Sequence, residues 1–260
     1  MTLSKVLGRH KFALPALVLA AGTALSIALG VMTHQEIRRA ARERFDAVAT
    51  ELARKVEGRF DDYVAVLAGV RARFNSTAPL SHADFRDFVA GLNLAQNYPG
   101  FQAMNYAPLV TAEQKPAFEA TMRHDPGLDR ALASRFTVKP PGDRAVYYPL
   151  AFIEPLDGNE SLLGNDLGAM PNRGNALEQA RDSGGLASSG RRIRIAGRDA
   201  DVGLAMRLPV YRPDLPLDTV EQRREAYMGS VGAGFSVGQM MQGLLAGDTD
   251  ASGPRCWPPG

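Results

Sequence analysis

Glu154 and Asp166 stand close together near the middle of the chain and could form a carboxylate pair for acid–base catalysis. Such a pair needs a nucleophile, an oxyanion site or a metal beside it, and no such partner accompanies them. The four histidines, His10, His34, His82 and His124, lack the spacing of a helical metal pair. Neither G-x-S-x-G nor H-E-x-x-H occurs. The one cysteine, Cys256, forbids an internal disulfide and fits no metal pattern. Glu154 precedes Pro155, and Asp166 follows Gly164-Asn165, so both suit turn or cap hydrogen bonds. The sequence therefore predicts a non-enzyme with no catalytic residue, no metal ligand and no cofactor, and the histidines read as surface or interface residues.

Binding asks for a different set. A small-molecule pocket needs apolar walls and a few convergent polar groups. Tyr106, Tyr148, Met206 and Phe235 are wall candidates, because strand alternation can turn each toward the concave face of a sheet. Asn105, Ser188, Ser189 and Arg207 are the polar candidates. Ordinary core packing explains the four wall residues equally well.

These residues lie on predicted strands at Phe101–Pro108, Ala145–Glu154, Arg192–Ala196, Val202–Val210 and Tyr227–Phe235. The last carries Gly229, Gly232 and Gly234, which permit a bulge or the close approach of another group. Short helices alternate with the strands. Ser81 with Asp84, Thr111 with Gln114, Thr219 with Gln222, and Ser236 with Gln239 have the spacing of helix starts. A further helix is expected from Asn172 to Asp182. The count gives an α+β fold with mostly antiparallel pairing.

Upstream of the strands the pattern changes. Phe12 to Met32 holds no charged residue and matches the ~20 residues that cross a bilayer as a helix. Lys5, Arg9 and Lys11 precede it, which favours a cytoplasmic N-terminus. From Gln35 to Phe74 there is no proline, and apolar residues recur at Ile37, Ala41, Phe45, Val48, Leu52, Val56, Phe60, Val64, Leu67, Val70 and Phe74. Steps of three and four mark one helical face. One reading is an amphipathic helix packed on its own domain; the other, expected for its membrane-proximal half, is pairing with a second copy as a parallel dimer, and Asn75 to Pro79 should end it. The net charge of +2 comes from interspersed charges, so nucleic acid is not an expected partner.

Several residues, taken in order, resemble a known family. They are Tyr98-Pro99-Gly100-Phe101 with Tyr106 and Pro108; Tyr148-Pro149; Ile153-Glu154-Pro155; Asn159; Gly164 and Asp166; Pro209-Val210-Tyr211; Arg223-Arg224; and Gly229, Val231 and Gly234-Phe235. Together they look like the CHASE domain, the extracytoplasmic sensory module of bacterial diguanylate cyclases, histidine kinases and plant cytokinin receptors. The resemblance implies a long N-terminal helix and two PAS-like α/β subdomains, with a small ligand in the membrane-distal one. It also implies a second transmembrane helix and a cytoplasmic output domain. The last residues, 248–260, are a Pro/Gly tail with neither, so the expectation is a receptor cut short of its output. The plant receptors read an adenine-type ring partly through an acid near the first pocket strand. Here Ala145 to Leu150 holds no acid, which argues against that ligand class.

The expected layout is a cytoplasmic N-terminus (1–11), a transmembrane helix (12–32), a long signalling helix (33–79), a sensory domain (80–247) and the tail. The expected function is an inner-membrane sensor with a periplasmic ligand-binding domain. Two other readings stay open: a membrane-anchored protein-interaction module and, with less in its favour, an anchored hydrolase.

Overall fold

The computed structural model describes residues 13–74, 80–188, 193–195 and 198–243. The expected breaker at 75–79, the candidate Ser189, Cys256 and the Pro/Gly tail lie outside the described residues. The chain falls into two compact units, 1–57 and 58–260. Helix α1 (Ala13–Phe74) runs through the first unit and opens the second.

In the first unit α1 is apolar on all sides at its start. Leu17, Val18, Leu19, Leu25, Ile27, Leu29, Val31 and Met32 are all exposed. The helix is long and apolar enough to cross a membrane, with a mean hydropathy of 1.7 over its most apolar window. Farther on, Ile37, Phe45 and Val48 also face outward, at 63%, 72% and 68% exposure.

The second unit begins where α1 becomes a core element. Tyr63, Leu67 and Val70 are fully buried, and Val66 and Phe74 nearly so. The predicted face is therefore correct in direction, but it pivots on Tyr63 and Val66 where the pattern had Val64. Helix α2 (His82–Gly91) starts at the expected place. Ser81 accepts a hydrogen bond from the Asp84 amide, and the Asp84 carboxylate accepts one from Ser81 N, a reciprocal capping box. The same device, Thr219 with Gln222, opens α7 (Val220–Ala226). Thr111 and Gln114 also exchange hydrogen bonds, yet they close a turn ahead of α4 (Lys115–Arg123). Pro116 in that helix's first turn helps to set the start one turn later. The remaining helices are α3 (Leu94–Asn97), α5 (Arg130–Ser134) and α6 (Pro171–Ser183). Gln239 N donates to Ser236 Oγ at the head of a helical segment, 237–243.

The main sheet has six antiparallel strands: β1 (Phe101–Pro108), β4 (Phe152–Glu154), β5 (Ala187–Ser188), β6 (Ile193–Ile195), β7 (Arg198–Tyr211) and β8 (Tyr227–Ser236). Their order is β4-β1-β8-β7-β5, with β6 also on β7. A separate ladder joins β2 (Val110–Thr111) to β3 (Val146–Tyr147). The single strand expected over Ala145–Glu154 is thus two short ones in different sheets. The break falls at Tyr148-Pro149, where the Tyr148 amide donates to the Asp166 carboxylate and Pro149 has no amide to give. The observed architecture is α+β with a long N-terminal apolar helix. From residue 58 onward the chain forms one unit by its contacts, with a six-stranded principal sheet and a separate two-stranded ladder.

Candidate functional site

The pairing register assigns each residue of the sheet to a face, because partners directly opposite point the same way and neighbours along a strand point apart. Asn105 lies opposite Gly232, and Gly232 opposite Arg207. Met104 lies opposite Ala233, and Ala233 opposite Met206. Arg207 pairs with Ala187, while Met206 pairs with Ser188.

One face carries Met104, Tyr106, Met206, Ser188 and Phe235, and α1 covers it. Phe235 meets Phe60 and Tyr63 at ring-centroid distances of 5.7 and 5.5 Å. Tyr106 stacks on Phe74 at 4.0 Å. Burial pushes the Tyr106 hydroxyl well above the usual phenol range. Three of the four expected wall residues, Tyr106, Met206 and Phe235, are therefore core under α1. The expectation that they join Asn105 and Arg207 in one concavity is corrected by parity, since Asn105 and Tyr106 are adjacent on one strand and Met206 and Arg207 on another. Ser188 is exposed at the sheet margin on that same side.

The other face carries Asn105, Ser230 and Arg207, and α6 covers it. Arg207 is only 7% exposed. Its Nη1 donates to Ser230 Oγ at 2.8 Å and its Nη2 to Asn105 Oδ1 at 2.6 Å. The guanidinium lies over Gly232. A Cβ there would stand 2.9 Å from Arg207 Cζ and 3.0 Å from Asn105 Oδ1, so any larger residue would have to shift the guanidinium. Apolar neighbours frame the group: Ala107, Leu150, Leu167 and Leu177 form a buried cluster with Tyr148 against it. Tyr148 leads to Tyr227 and then to Tyr211, with ring centroids 6.3 and 6.0 Å apart. The Tyr227 hydroxyl is buried and closes no hydrogen bond of good geometry among the described residues. Burial raises its ionisation well above the usual value, and burial also raises that of Tyr148, against the opposing Arg181 charge. Of the residues on this side, Asn105, Tyr148 and Arg207 were among the sequence candidates, and Ser230 and Tyr227 were not. The alternation of β8 puts Ser230 and Gly232 on one face, and the pairing register puts that face with Arg207.

The acids hold structure together. Asp166 is fully buried, and its Oδ1 accepts from the amides of Tyr148 (2.8 Å) and Gly168 (2.9 Å). Its Oδ2 lies 3.2 Å from Arg144 Nη1. Glu154 caps a turn, accepting from Leu156 N, and also meets Arg86 Nε at 3.3 Å. Among the described residues no group of three or more His, Cys, Asp or Glu is placed to hold a metal ion.

His82 departs from the surface role expected for it. It is fully buried, with its ring edge-on to Phe152 and Nε2 3.4 Å from Glu154 Oε1. Desolvation, helped by the Arg86 charge and opposed by Asp125, lowers its pKa to about 4. The folded value lies below the ~6.5 of a free histidine, so the unfolded chain binds the proton first and stability falls as pH drops from ~6.5 toward 4. The full effect is on the order of 3 kcal/mol. Burial raises the Glu154 pKa, against Arg86, and this works the opposite way, returning part of the loss as the folded carboxyl takes up a proton. Denaturant unfolding of the full chain at pH 7 and pH 5 should show an acid loss that shrinks in His82→Phe. Equal losses in the two proteins would mean that His82 does not set this pH dependence.

A comparison with family models finds a match to the CHASE domain over residues 79–253, more than half of the chain. No curated protein matches the chain. The matched span takes in the capped helix α2, the principal sheet and both faces described above. The chain belongs to the CHASE domain family, whose domain is an extracytoplasmic sensory module and not a catalytic one.

Proposed function

We propose that the chain is an inner-membrane sensor that binds a small ligand on the α6 face of its sheet and passes the signal along α1. The observation that carries this reading is the Arg207–Asn105–Ser230 group held over Gly232 in an otherwise apolar face. A few convergent polar groups within apolar walls are what orient a small ligand. Tyr148 and the Tyr227 hydroxyl stand on the same side, and Ser189 remains a polar candidate. In this reading the sheet is a PAS-like sensory fold on the periplasmic side. The apolar start of α1 spans the membrane, the N-terminus is cytoplasmic, and the protein itself catalyses nothing. Ile37, Phe45 and Val48 are exposed at helical spacing, which supports a parallel homodimer along this part of α1. A dimer seam that moves between discrete arrangements would carry the signal.

The test is a thermal-shift screen of the full chain in lipid nanodiscs, using purines, amino acids and aromatic carboxylates as probes. A ligand at a hundred times its Kd adds roughly 2.7 kcal/mol of stability, a shift that is easily read. At least one probe class should stabilise the protein, and Asn105→Ala and Arg207→Gln should abolish that shift. No stabilising probe, or a shift unchanged in both variants, would overturn the site.

A further inference from the structure

A recess lies apart from the Arg207 group, between the last turns of α1, the end of α6 and the segment joining β7 to α7. It is a cleft of about 370 Å³. Three guanidinium groups line it, those of Arg71, Arg212 and Arg223, and no carboxylate does. Leu215 and Leu217 supply an apolar wall. We infer that this cleft is a binding site for a small organic phosphate, gripped by Arg71, Arg212 and Arg223, with its apolar part against Leu215 and Leu217.

Two of the cations are fixed before any ligand arrives. Arg223 donates from Nε to Asp182 O at 2.7 Å, and from Nη1 to Leu217 O at 2.7 Å and Asp218 O at 3.2 Å. Arg212 Nη2 donates to Glu225 O at 2.6 Å. Main-chain carbonyls hold these side chains in place without neutralising them. Preorganised cations lose less on binding than free ones do. Asp182, whose main-chain carbonyl holds Arg223, has its carboxylate paired with Arg181 at 2.7 Å and Arg224 at 2.6 Å. Those two arginines hold the Asp182 carboxyl well below its usual range.

The ligand class follows from charge and shape. A phosphate monoester carries about −1.5 to −2 charge and three acceptor oxygens, which suits three guanidiniums better than a carboxylate does. The volume lies near the lower end of the roughly 300–1,000 Å³ range of ligand sites, so the molecule is small. Arg71 belongs to α1, Arg212 follows β7 and Arg223 belongs to α7. A bound phosphate would therefore tie the last turns of α1 to the sheet edge.

The same headgroup chemistry occurs in free metabolites and in anionic lipids, and the experiment separates them. The full chain in phosphatidylcholine nanodiscs is titrated calorimetrically with hexyl phosphate, with hexanol as the neutral control. Saturable binding of hexyl phosphate alone is expected, weakened roughly tenfold in Arg71→Gln and in Arg212→Gln by loss of a charge-assisted contact. Both substitutions spare the bonds of Arg223, and the melting temperature of each variant is measured alongside. The titration is repeated in phosphatidylglycerol nanodiscs. Retained binding there assigns the cleft to a soluble phosphate, whereas loss there with binding kept in phosphatidylcholine assigns it to a lipid headgroup. No saturable binding in phosphatidylcholine, or equal affinity in the parent and both folded variants, would overturn the inference.

Discussion

Phe235→Ala should destabilise the protein by about 3–5 kcal/mol, the usual cost of emptying a buried aromatic site. Phe235 is fully buried and is the residue through which β8 meets α1, edge-on to Phe60 and tilted against Tyr63. Each such ring pair is worth roughly 0.5–1.5 kcal/mol beyond its buried area. Urea unfolding should show a lower midpoint with an unchanged slope, because the same surface is exposed on unfolding. Hydrogen exchange should also rise in residues 60–74 of α1 before it rises in β1, since the helix loses its contact with the sheet. Phe235→Leu refills most of the volume and should restore most of the stability. A ligand-wall role predicts the reverse: a small stability loss and a large binding loss. An alanine variant within ~1 kcal/mol of the parent would remove Phe235 from the helix–sheet contact described here.

The contrast between Phe235 and Arg207 shows what could be read in the sequence. The apolar face of α1 was legible because its 3.6-residue period runs unbroken for many turns. Tyr63 escaped because a tyrosine one position from the period looks like a surface residue. Its burial depends on a donor bond to Pro99 O and on ring contacts with Tyr98 and Phe101, all distant in sequence. The capping boxes at Ser81 and Thr219 were legible because they are local. The residues of the Arg207 face were only half legible. Composition identified Asn105 and Arg207 as polar groups on strands, but register decides which neighbours share their side. Register is set by long-range pairing of β1, β8 and β7. His82 escaped for the same reason, since its burial comes from Phe152 and Glu154 on β4.

Asp166→Ala should cost a similar amount, about 3–5 kcal/mol, by a different mechanism. The substitution leaves the part-buried amides of Tyr148 and Gly168 without an acceptor and the Arg144 guanidinium without its carboxylate. Each orphaned buried group costs about 1–3 kcal/mol. Asp166→Asn keeps one side-chain oxygen for both amides but sets an NH2 donor against Arg144 in place of the charged acceptor, so its stability should fall between that of the parent and that of alanine. The consequence reaches the sheet face proposed to bind ligand. Asp166 fixes the backbone at Tyr148, and the Tyr148 ring rests against Gly168, where a Cβ would come within 2.9 Å of Cδ2. A loosened Asp166 turn should therefore shift the Tyr148 ring and its contact with Tyr227. Asp166→Ala should weaken binding of any probe found to stabilise the parent, and Asp166→Asn should keep most of it. Denaturant midpoints of the three proteins, read beside the thermal shift for that probe, decide the matter. An alanine variant as stable as the parent would refute the structural role of this buried acid. An asparagine variant no better than alanine would show that charge, and not the two amide bonds, holds the turn.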